Sequence, residues 1–449
     1  MAVDAAWAYT PQSEFGATRA SIVVAGLTRA GAPPTALVGT SRALERGKGR
    51  SSVPVATALL GTALAVTALV ATSVFGASLS NLLTTPRLYG VNWQVLLDDL
   101  SYPQVRAEAG TLAGDPNVET VTYSVEGKYV KVGDATVPAT LVDVAKGPMA
   151  FSLVNGHYPT GAGEIALGAT TLSQSGAHVG SNIPVTIVAG SGVARTALLT
   201  VVGTIAFPPS FGTGGFGIGA VATVRTAETL ACPAGPGQRA CISTIVKRIE
   251  NPNNTGWDMA IGTASSAAGR ATAARLQREF LSDVAPPGVP NELANFGQAV
   301  NFPGLLGATL AIFGAAALLH LLVASVSRRR REVAILKVLG FVRMQVGATV
   351  CWQSTTVALV GIVLGVPLGI AAGRVIWRAF AANLGVVPVD VVPLQLVFVF
   401  AAGVLVVGNL LALVPAMLAA RTRPAEGPAG GIGRLWLCAR NPAEPRGCR

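Results

Sequence analysis

Four long segments without a formal charge limit what this chain can fold into. They cover residues 53–76, 302–326, 346–372 and 394–418, and none of them contains Asp, Glu, Lys or Arg. A helix needs about 20 apolar residues to cross the hydrocarbon core of a bilayer. Buried helices of water-soluble proteins are rarely so long and so free of charge. The sequence therefore predicts an α-helical membrane protein with four transmembrane helices.

The basic residues predict how these helices are oriented. The net charge of +11 collects in residues 1–52, 327–345 and 419–449, whereas the long polar segment 77–301 is slightly acidic. Positively charged loops stay on the cytoplasmic side, because carrying an arginine through the hydrocarbon core costs about 3 kcal/mol or more. We therefore predict a plasma-membrane protein whose N- and C-termini are cytoplasmic and whose segment 77–301 forms an extracytoplasmic domain.

The same charge pattern argues against a nucleic-acid partner. A nucleic-acid interface needs basic residues on one face of a folded domain, with aromatic side chains among them, and the basic residues here flank apolar segments instead. Contact with anionic membrane lipids is the expected role of such residues. Arg374 and Arg378, in the predicted outer connection 373–393, oppose this orientation, but the six basic residues of segment 327–345 outweigh them.

The extracytoplasmic segment is expected to be a mixed α+β domain. Alternating polar and apolar residues at 118–132 predict a β-hairpin, and β-branched runs at 183–188 and 197–207 predict further strands. The composition of residues 265–281 predicts a helix. The glycine-rich residues 212–219 predict a mobile surface loop.

Few residues in this chain suit catalysis or metal binding. Its three histidines are scattered, so we expect no catalytic site, no metal site and no bound cofactor. His320 is interpreted as a neutral helix-packing residue rather than a proton relay, and Cys351 as a small apolar side chain. Cys232 and Cys241 lie in the predicted outer domain, where oxidising conditions allow a disulfide. The sequence leaves open whether they are bonded.

Glycines recur every four residues in the third apolar segment, at Gly361, Gly365 and Gly369. A ridge of small residues permits the close approach of two helices. The pattern fits packing between two protomers and packing within one protomer equally well.

The segment between the second and third apolar stretches concerns function most directly. Four consecutive arginines are followed by an apolar stripe at helical spacing and then by a glycine. Such a stripe can dock on a cytoplasmic partner, whereas a plain arginine cluster would only set the topology of the loop. The candidate residues are Arg328, Arg329, Arg330, Arg331, Glu332, Val333, Leu336, Leu339 and Gly340.

The order of segments and three sequence stretches resemble the FtsX-like permeases of ABC transporters, the group of MacB and the lipoprotein-releasing permeases. Residues 328–346 are similar to that family's cytoplasmic loop after its second span. Residues 156–168 are similar to a recurring pattern of its outer domain, and residues 410–426 to its closing segment. With the glycine-rich stretch 361–369, the resemblance covers roughly residues 50–426.

The chain departs from the family pattern at both ends. Residues 427–449 replace a short family ending and are expected to be a disordered tail. Residues 43–50 look like a linker inside longer permeases, so we expect this chain to correspond to the C-terminal half of such a permease.

The resemblance implies a division of labour between this chain and an ABC ATP-binding subunit. The chain lacks the phosphate-binding pattern G-x-x-x-x-G-K-[ST], so ATP hydrolysis is expected in that partner, which would contact segment 327–345 of the permease domain 302–426. Residues 77–301 would be a MacB-like outer domain. As a homodimer, or paired with a second permease chain, the protein would export or extract a lipid, lipoprotein, peptide or drug by mechanotransmission.

An alternative is a membrane scaffold that transports nothing and whose outer domain binds and regulates a cell-wall enzyme, as proteins similar to FtsX do. A third class, the ion-coupled carriers, would require a carboxylate within the membrane segments. The four apolar segments contain none.

Overall fold

The computed structural model describes residues 22–44, 55–126, 129–188, 194–207, 215–232, 235–249, 256–280, 301–328 and 342–421. The chain divides into two compact units, each assembled from segments that are far apart in sequence. A helical unit is drawn from Met1–Thr72, Leu305–Ala371 and Leu394–Arg449, and a sheet unit from Ser73–Gly304 and Ala372–Pro393.

Within the described residues, four helices are long and apolar enough to cross a membrane. They are α3 (Val55–Thr84), α9 (Asn301–Arg328), α10 (Arg343–Leu384) and α11 (Leu394–Arg421). This finding confirms the prediction of four such helices. Large side chains remain exposed along them, including Phe313 at 73% and Phe398 at 74%, which suits a surface that faces hydrocarbon. Two shorter helices, α1 (Ile22–Arg29) and α2 (Pro34–Leu44), precede them.

Helix α10 is longer than the sequence predicts. The third span was expected to end at Ala372, with a connection over residues 373–393, but the helix continues to Leu384. The added turns belong to the sheet unit, where Trp377 and Ala381 are fully buried in its core. The connection before α11 is therefore only residues 385–393, whereas the bounds of the membrane span itself stay a prediction. Hydropathy detects an apolar stretch but not the packing that prolongs a helix beyond it.

The strands described in the sheet unit form one mixed sheet in the order β1-β11-β2-β5-β10-β7-β9-β8-β3-β4, with β6 paired to β9. The pairs β5–β10 and β7–β9 are parallel. The strands are β1 (Val95–Leu100), β2 (Val118–Glu126), β3 (Val130–Val132), β4 (Ala135–Val137), β5 (Ala139–Lys146), β6 (Ser152–Gly156), β7 (Glu164–Leu167), β8 (Asn182–Val188), β9 (Ala194–Ala206), β10 (Ala220–Thr223) and β11 (Trp257–Thr263).

Short helices join or cover these strands, so the unit has the mixed α and β composition that the sequence predicts. They are α4 (Tyr102–Ala113), α5 (Ala169–Gln174), α6 (Val224–Ala231), α7 (Gln238–Ile249) and α8 (Ala267–Glu279). The prediction of α8 is confirmed. The Ser266 side chain caps it by accepting a hydrogen bond from the N–H of Gly269. The predicted strands β8 and β9 are also confirmed, and they pair antiparallel.

The hairpin predicted at residues 118–132 is wrong, although both of its strands exist. Strand β2 pairs with β11 and β5, and β3 pairs with β4 and β8. Alternation along a strand decides which side chains face the core, but it does not select the neighbouring strand.

The surface loop predicted at 212–219 is also wrong for its described part, residues 215–219. Phe216 is 2% exposed and belongs to the sheet unit's core. Gly217 approaches Gly385 so closely that a Cβ on Gly217 would lie 3.2 Å from the Cα of Gly385. Glycines at these positions therefore permit backbone packing.

Candidate functional site

Residues 327–345, which are predicted to contact the ATP-binding subunit and which we call the coupling segment, lie mostly outside the described residues. Arg328 is the last residue of α9, and Arg329 to Gly340 are not described. Helix α10 begins just beyond, and the N–H of Val342 donates a hydrogen bond of 3.0 Å to Oε1 of Gln345. This bond satisfies one backbone donor at the start of the helix. The structure thus defines the two helices that the segment joins.

These two helices share a buried cluster with α2 and α11, which we call the loop-base cluster. Because apolar side chains in such a cluster are close-packed, displacement of one helix is felt by the others. A force on the coupling segment would therefore act on a packed group of helices rather than on a single one. The cluster comprises Ala43, Leu318, Leu322, Val346, Val350, Val357, Ala412 and Ala416.

Helix α2 is an integral part of this helical unit. Its Gly39 faces α10 so closely that a Cβ there would lie 2.6 Å from the Cβ of Trp352. The hydroxyls of Thr40 and Thr356 lie 3.3 Å apart. The sequence predicts only a basic cytoplasmic segment for residues 1–52. Small residues at helical spacing, Ala36, Gly39 and Ala43, are the sequence signal for this packed helix.

A band of polar residues in α10 connects it to α11. The buried hydroxyl of Ser354 donates a hydrogen bond of 2.7 Å to the carbonyl oxygen of Gly408, and the hydroxyl of Thr355 donates one of 3.1 Å to Oδ1 of Asn409. Hydrogen bonds between apolar helices fix how far one can slide along the other. In the sequence, the signal for this band is that Gln353 to Thr356 interrupt an otherwise apolar segment.

The glycine ridge of α10 lies against α3 of the same chain. A Cβ on Gly365 would lie 2.7 Å from the Cβ of Val66, and one on Gly369 would lie 2.7 Å from the carbonyl oxygen of Thr67. The hydroxyl of Thr67 also donates a hydrogen bond of 3.3 Å to the carbonyl oxygen of Gly365. Of the two arrangements left open by the sequence, the described residues show the packing within one protomer.

Replacing Gly365 with alanine should destabilise the protein by about 1–3 kcal/mol, because the added methyl group overlaps the backbone and side chains of α3. Thermal unfolding of the purified protein in detergent measures this effect. Gly403→Ala is the matched control, since a Cβ at Gly403 meets nothing within 4 Å. Equal melting temperatures for the two variants would contradict the tight contact.

The last part of α10, residues 372–384, belongs to the sheet unit. Aromatic contacts and hydrogen bonds within that unit hold it in place. The Phe75 ring meets the Trp377 ring at 5.6 Å and the Phe380 ring at 5.3 Å, both edge-on. The indole N–H of Trp377 donates a hydrogen bond of 2.8 Å to the carbonyl oxygen of Val389. The N–H of Val391 donates one of 2.9 Å to the hydroxyl of Ser78. We call this arrangement the Trp377 anchor.

Asp390 forms ion pairs with both arginines that oppose the predicted orientation. Its carboxylate lies 2.9 Å from Nε of Arg374 and 2.8 Å from Nη2 of Arg378. Burial alone would raise the pKa of the Asp390 carboxyl, but the Arg378 and Arg374 guanidiniums outweigh it and hold the pKa below its usual value. The ion pairs join α10 to the connection that follows it. The sequence shows how many arginines are present, but not that they form ion pairs with Asp390.

Asp390→Asn should lower the free energy of unfolding at neutral pH by about 2 kcal/mol, because it removes a charged hydrogen-bond acceptor from both arginines. Folding lowers the pKa of Asp390, so its contribution is full above the unfolded pKa, about 4, and is lost as the pH falls through the lower folded value. Unfolding followed from pH 7 to pH 3 should thus show a smaller loss of stability in the variant.

Asp134→Asn is the control for this effect. Asp134 is fully exposed and lies 3.8 Å from the exposed Lys131, so its removal should change stability little. If the two variants behaved alike at neutral pH, Asp390 would not stabilise the anchor.

The outer-domain stretch that carries the family resemblance forms a tight turn. Oε2 of Glu164 accepts hydrogen bonds of 2.7 Å from the N–H of Thr160 and 2.8 Å from that of Gly161. These backbone donors lower the pKa of the Glu164 carboxyl. Gly156 has a φ of 79° and lies directly against the backbone of β9. The stretch thus serves to shape the fold.

The remaining candidate residues are three cysteines and His320. Cys232 and Cys241 are joined by a disulfide, which connects the end of α6 to α7. Cys351 packs against the loop-base cluster. His320 is exposed on α9, so the predicted packing role is not found among the described residues. No group of His, Cys, Asp and Glu that could hold a metal ion occurs in the part of the chain that the structure describes.

Comparison with known proteins identifies the C-terminal part of the chain. Residues 304–424 match the model of the FtsX-like permease C-terminal family. A comparison with curated proteins gave no match. The matched residues include nearly all of α9, the coupling segment, and the whole of α10 and α11. Residues 304–424 therefore match the C-terminal domain of the FtsX-like permeases, and this match is consistent with a permease of the FtsX and MacB type.

Proposed function

We propose that this chain is the permease subunit of an ABC transporter whose ATP hydrolysis takes place in a separate subunit. The family match over residues 304–424 carries this proposal, because FtsX-like permeases normally work with an ATP-binding subunit. The chain has no phosphate-binding loop of its own. Its role is then to convert a movement of the partner into a movement of its own extracytoplasmic domain.

The coupling segment would receive that movement. Val333, Leu336 and Leu339 would dock on the ATP-binding subunit, whose affinity for this segment must differ between its two states for any movement to occur. Arg328 to Arg331 would hold the segment at the cytoplasmic surface and bind anionic lipid heads at about 1 kcal/mol each.

Helix α10 supports this route, because it begins next to the coupling segment and ends in the Trp377 anchor. Its first part contributes to the loop-base cluster, and its last part to the core of the sheet unit. A single helix thus runs from the coupling segment to that anchor, with Pro367 in its interior. Two copies of the chain, or this chain and a second permease, would act together to export or extract a lipid, lipoprotein, peptide or drug.

A double substitution tests the docking step. Leu336→Glu with Leu339→Glu should abolish co-purification of the ATP-binding subunit from mild detergent, because it places two carboxylates in an apolar contact. Leu198→Glu is a control, since Leu198 is 70% exposed in the sheet unit. Undiminished co-purification of the double variant would refute docking through this segment. A chain that binds a wall enzyme and no ATP-binding subunit would support the scaffold alternative instead.

The orientation can be tested by labelling with an impermeant thiol reagent in intact cells. A cysteine at Arg330 should be protected and one at Lys131 should be labelled, in a background that retains Cys232 and Cys241 but lacks the other three cysteines. Labelling of the cysteine at position 330 would contradict a cytoplasmic coupling segment.

A further inference from the structure

A cavity of about 200 Å³ lies between α6 and one face of the sheet. Its walls include Leu141, Ile187, Leu199, Ala222 and Leu230, and every lining side chain is apolar apart from the phenol of Tyr129. Tyr129 is 65% exposed. Protein interiors normally contain few voids larger than a water molecule, so a cavity of this size with almost no polar lining requires an explanation.

The cavity exists because small side chains occupy the layer between the sheet and α6. Ala139, Ala220, Ala222 and Ala227 all line it. Helix α6 cannot easily settle into the space, because it is held at both ends. At its start, the hydroxyl of Thr226 donates a hydrogen bond of 3.1 Å to the carbonyl oxygen of Gly161, and at its end Cys232 is bonded to Cys241.

A charged residue follows the cavity-lining residues along the same face of the sheet. Arg195 of β9 is directly opposite Ile187 of β8, and residues opposite each other on antiparallel strands share one face of the sheet. Ile187 lines the cavity, so Arg195 emerges on the cavity's face of the sheet. Its Nη1 atom is buried and has no hydrogen-bond partner among the residues that the structure describes. Leaving a buried guanidinium N–H unpaired is costly, and an anion is its natural partner.

We infer that this cavity binds the aliphatic chain of a single-chain amphiphile, with an acidic head group at Arg195. The hydrocarbon part would fill the apolar space, and the carboxylate or phosphate would form an ion pair with the Arg195 guanidinium. A peptide does not fit, because its backbone N–H and C=O groups would have no partners on these walls. A sugar or a nucleotide is excluded by the same lack of polar groups.

This site goes beyond the proposed transport function and does not depend on it. Binding requires neither ATP nor the coupling segment, so it is tested on the chain alone. Failure to find an ATP-binding partner would leave the site intact, and failure of the site would leave the coupling proposal intact.

The test uses the full chain in lipid nanodiscs and a palmitic acid analogue with a diazirine near its methyl end. After photolysis and digestion, mass spectrometry should find the label on the strands and helix that line the cavity. Ala222→Leu fills the space and should reduce this labelling by about tenfold or more. Leu198→Ala, on the opposite face of β9, should leave it unchanged. Thermal unfolding of each variant shows whether the fold is retained.

Competition on the unmodified chain gives a second measurement that does not depend on a variant. Unlabelled palmitate and 1-palmitoyl lysophosphatidate should suppress labelling, and the better of the two identifies the head group. Hexadecanol, which has the same chain and no charge, should compete about tenfold less well.

Arg195→Gln should remove this preference for an acid, and Arg195→Lys should restore part of it. Lys131→Gln is the control for loss of a positive charge, since Lys131 is exposed and paired with Asp134. Labelling spread over the membrane helices alone, or equal competition by acid and alcohol, would overturn the inference.

Discussion

The close contact between α3 and α10 is the interaction on which the rest of the structure depends. In the helical unit the two helices meet at Gly365 and Gly369, where the backbone of one touches the side chains of the other. In the sheet unit the same two helices meet through Phe75, Trp377 and Phe380. Helix α3 leads into the segment that forms the sheet, and α10 begins just after residues 329–341. The same pair of helices therefore contributes to the packing of each unit.

Polar groups give this arrangement a defined register. Ser354 and Thr355 bond to α11, Thr40 meets Thr356, and Asp390 holds both Arg374 and Arg378. For the buried or half-buried bonds of Ser354, Thr355 and Thr356, displacing a partner costs much more than it would in water. Helices held in this way have discrete packing arrangements rather than a continuum of them, which is what a mechanical switch requires.

The sheet unit combines a rigid frame with one region of incomplete packing. Elsewhere its core is filled by large side chains such as Phe151, Phe207 and Trp257, but alanines leave space beneath α6. The disulfide and the capped start of that helix preserve the space, and Arg195, whose Nη1 atom is buried, emerges on the same face of the sheet. Loose packing and a buried N–H group without a partner both cost stability. Such a cost is commonly found where a protein binds something else.

The sequence by itself determined the four apolar helices, the mixed composition of the outer domain, strands β8 and β9 and helix α8, because these depend on hydropathy, periodicity and capping within a short window. Tertiary structure decided which strands flank β2 and β3, which helix receives the glycine ridge, how far α10 extends, and that Asp390 pairs with Arg374 and Arg378. Each of these depends on side chains that meet only after the chain has folded. Local patterns show which face of an element is buried, but shape and charge complementarity across long sequence separations decide what buries it.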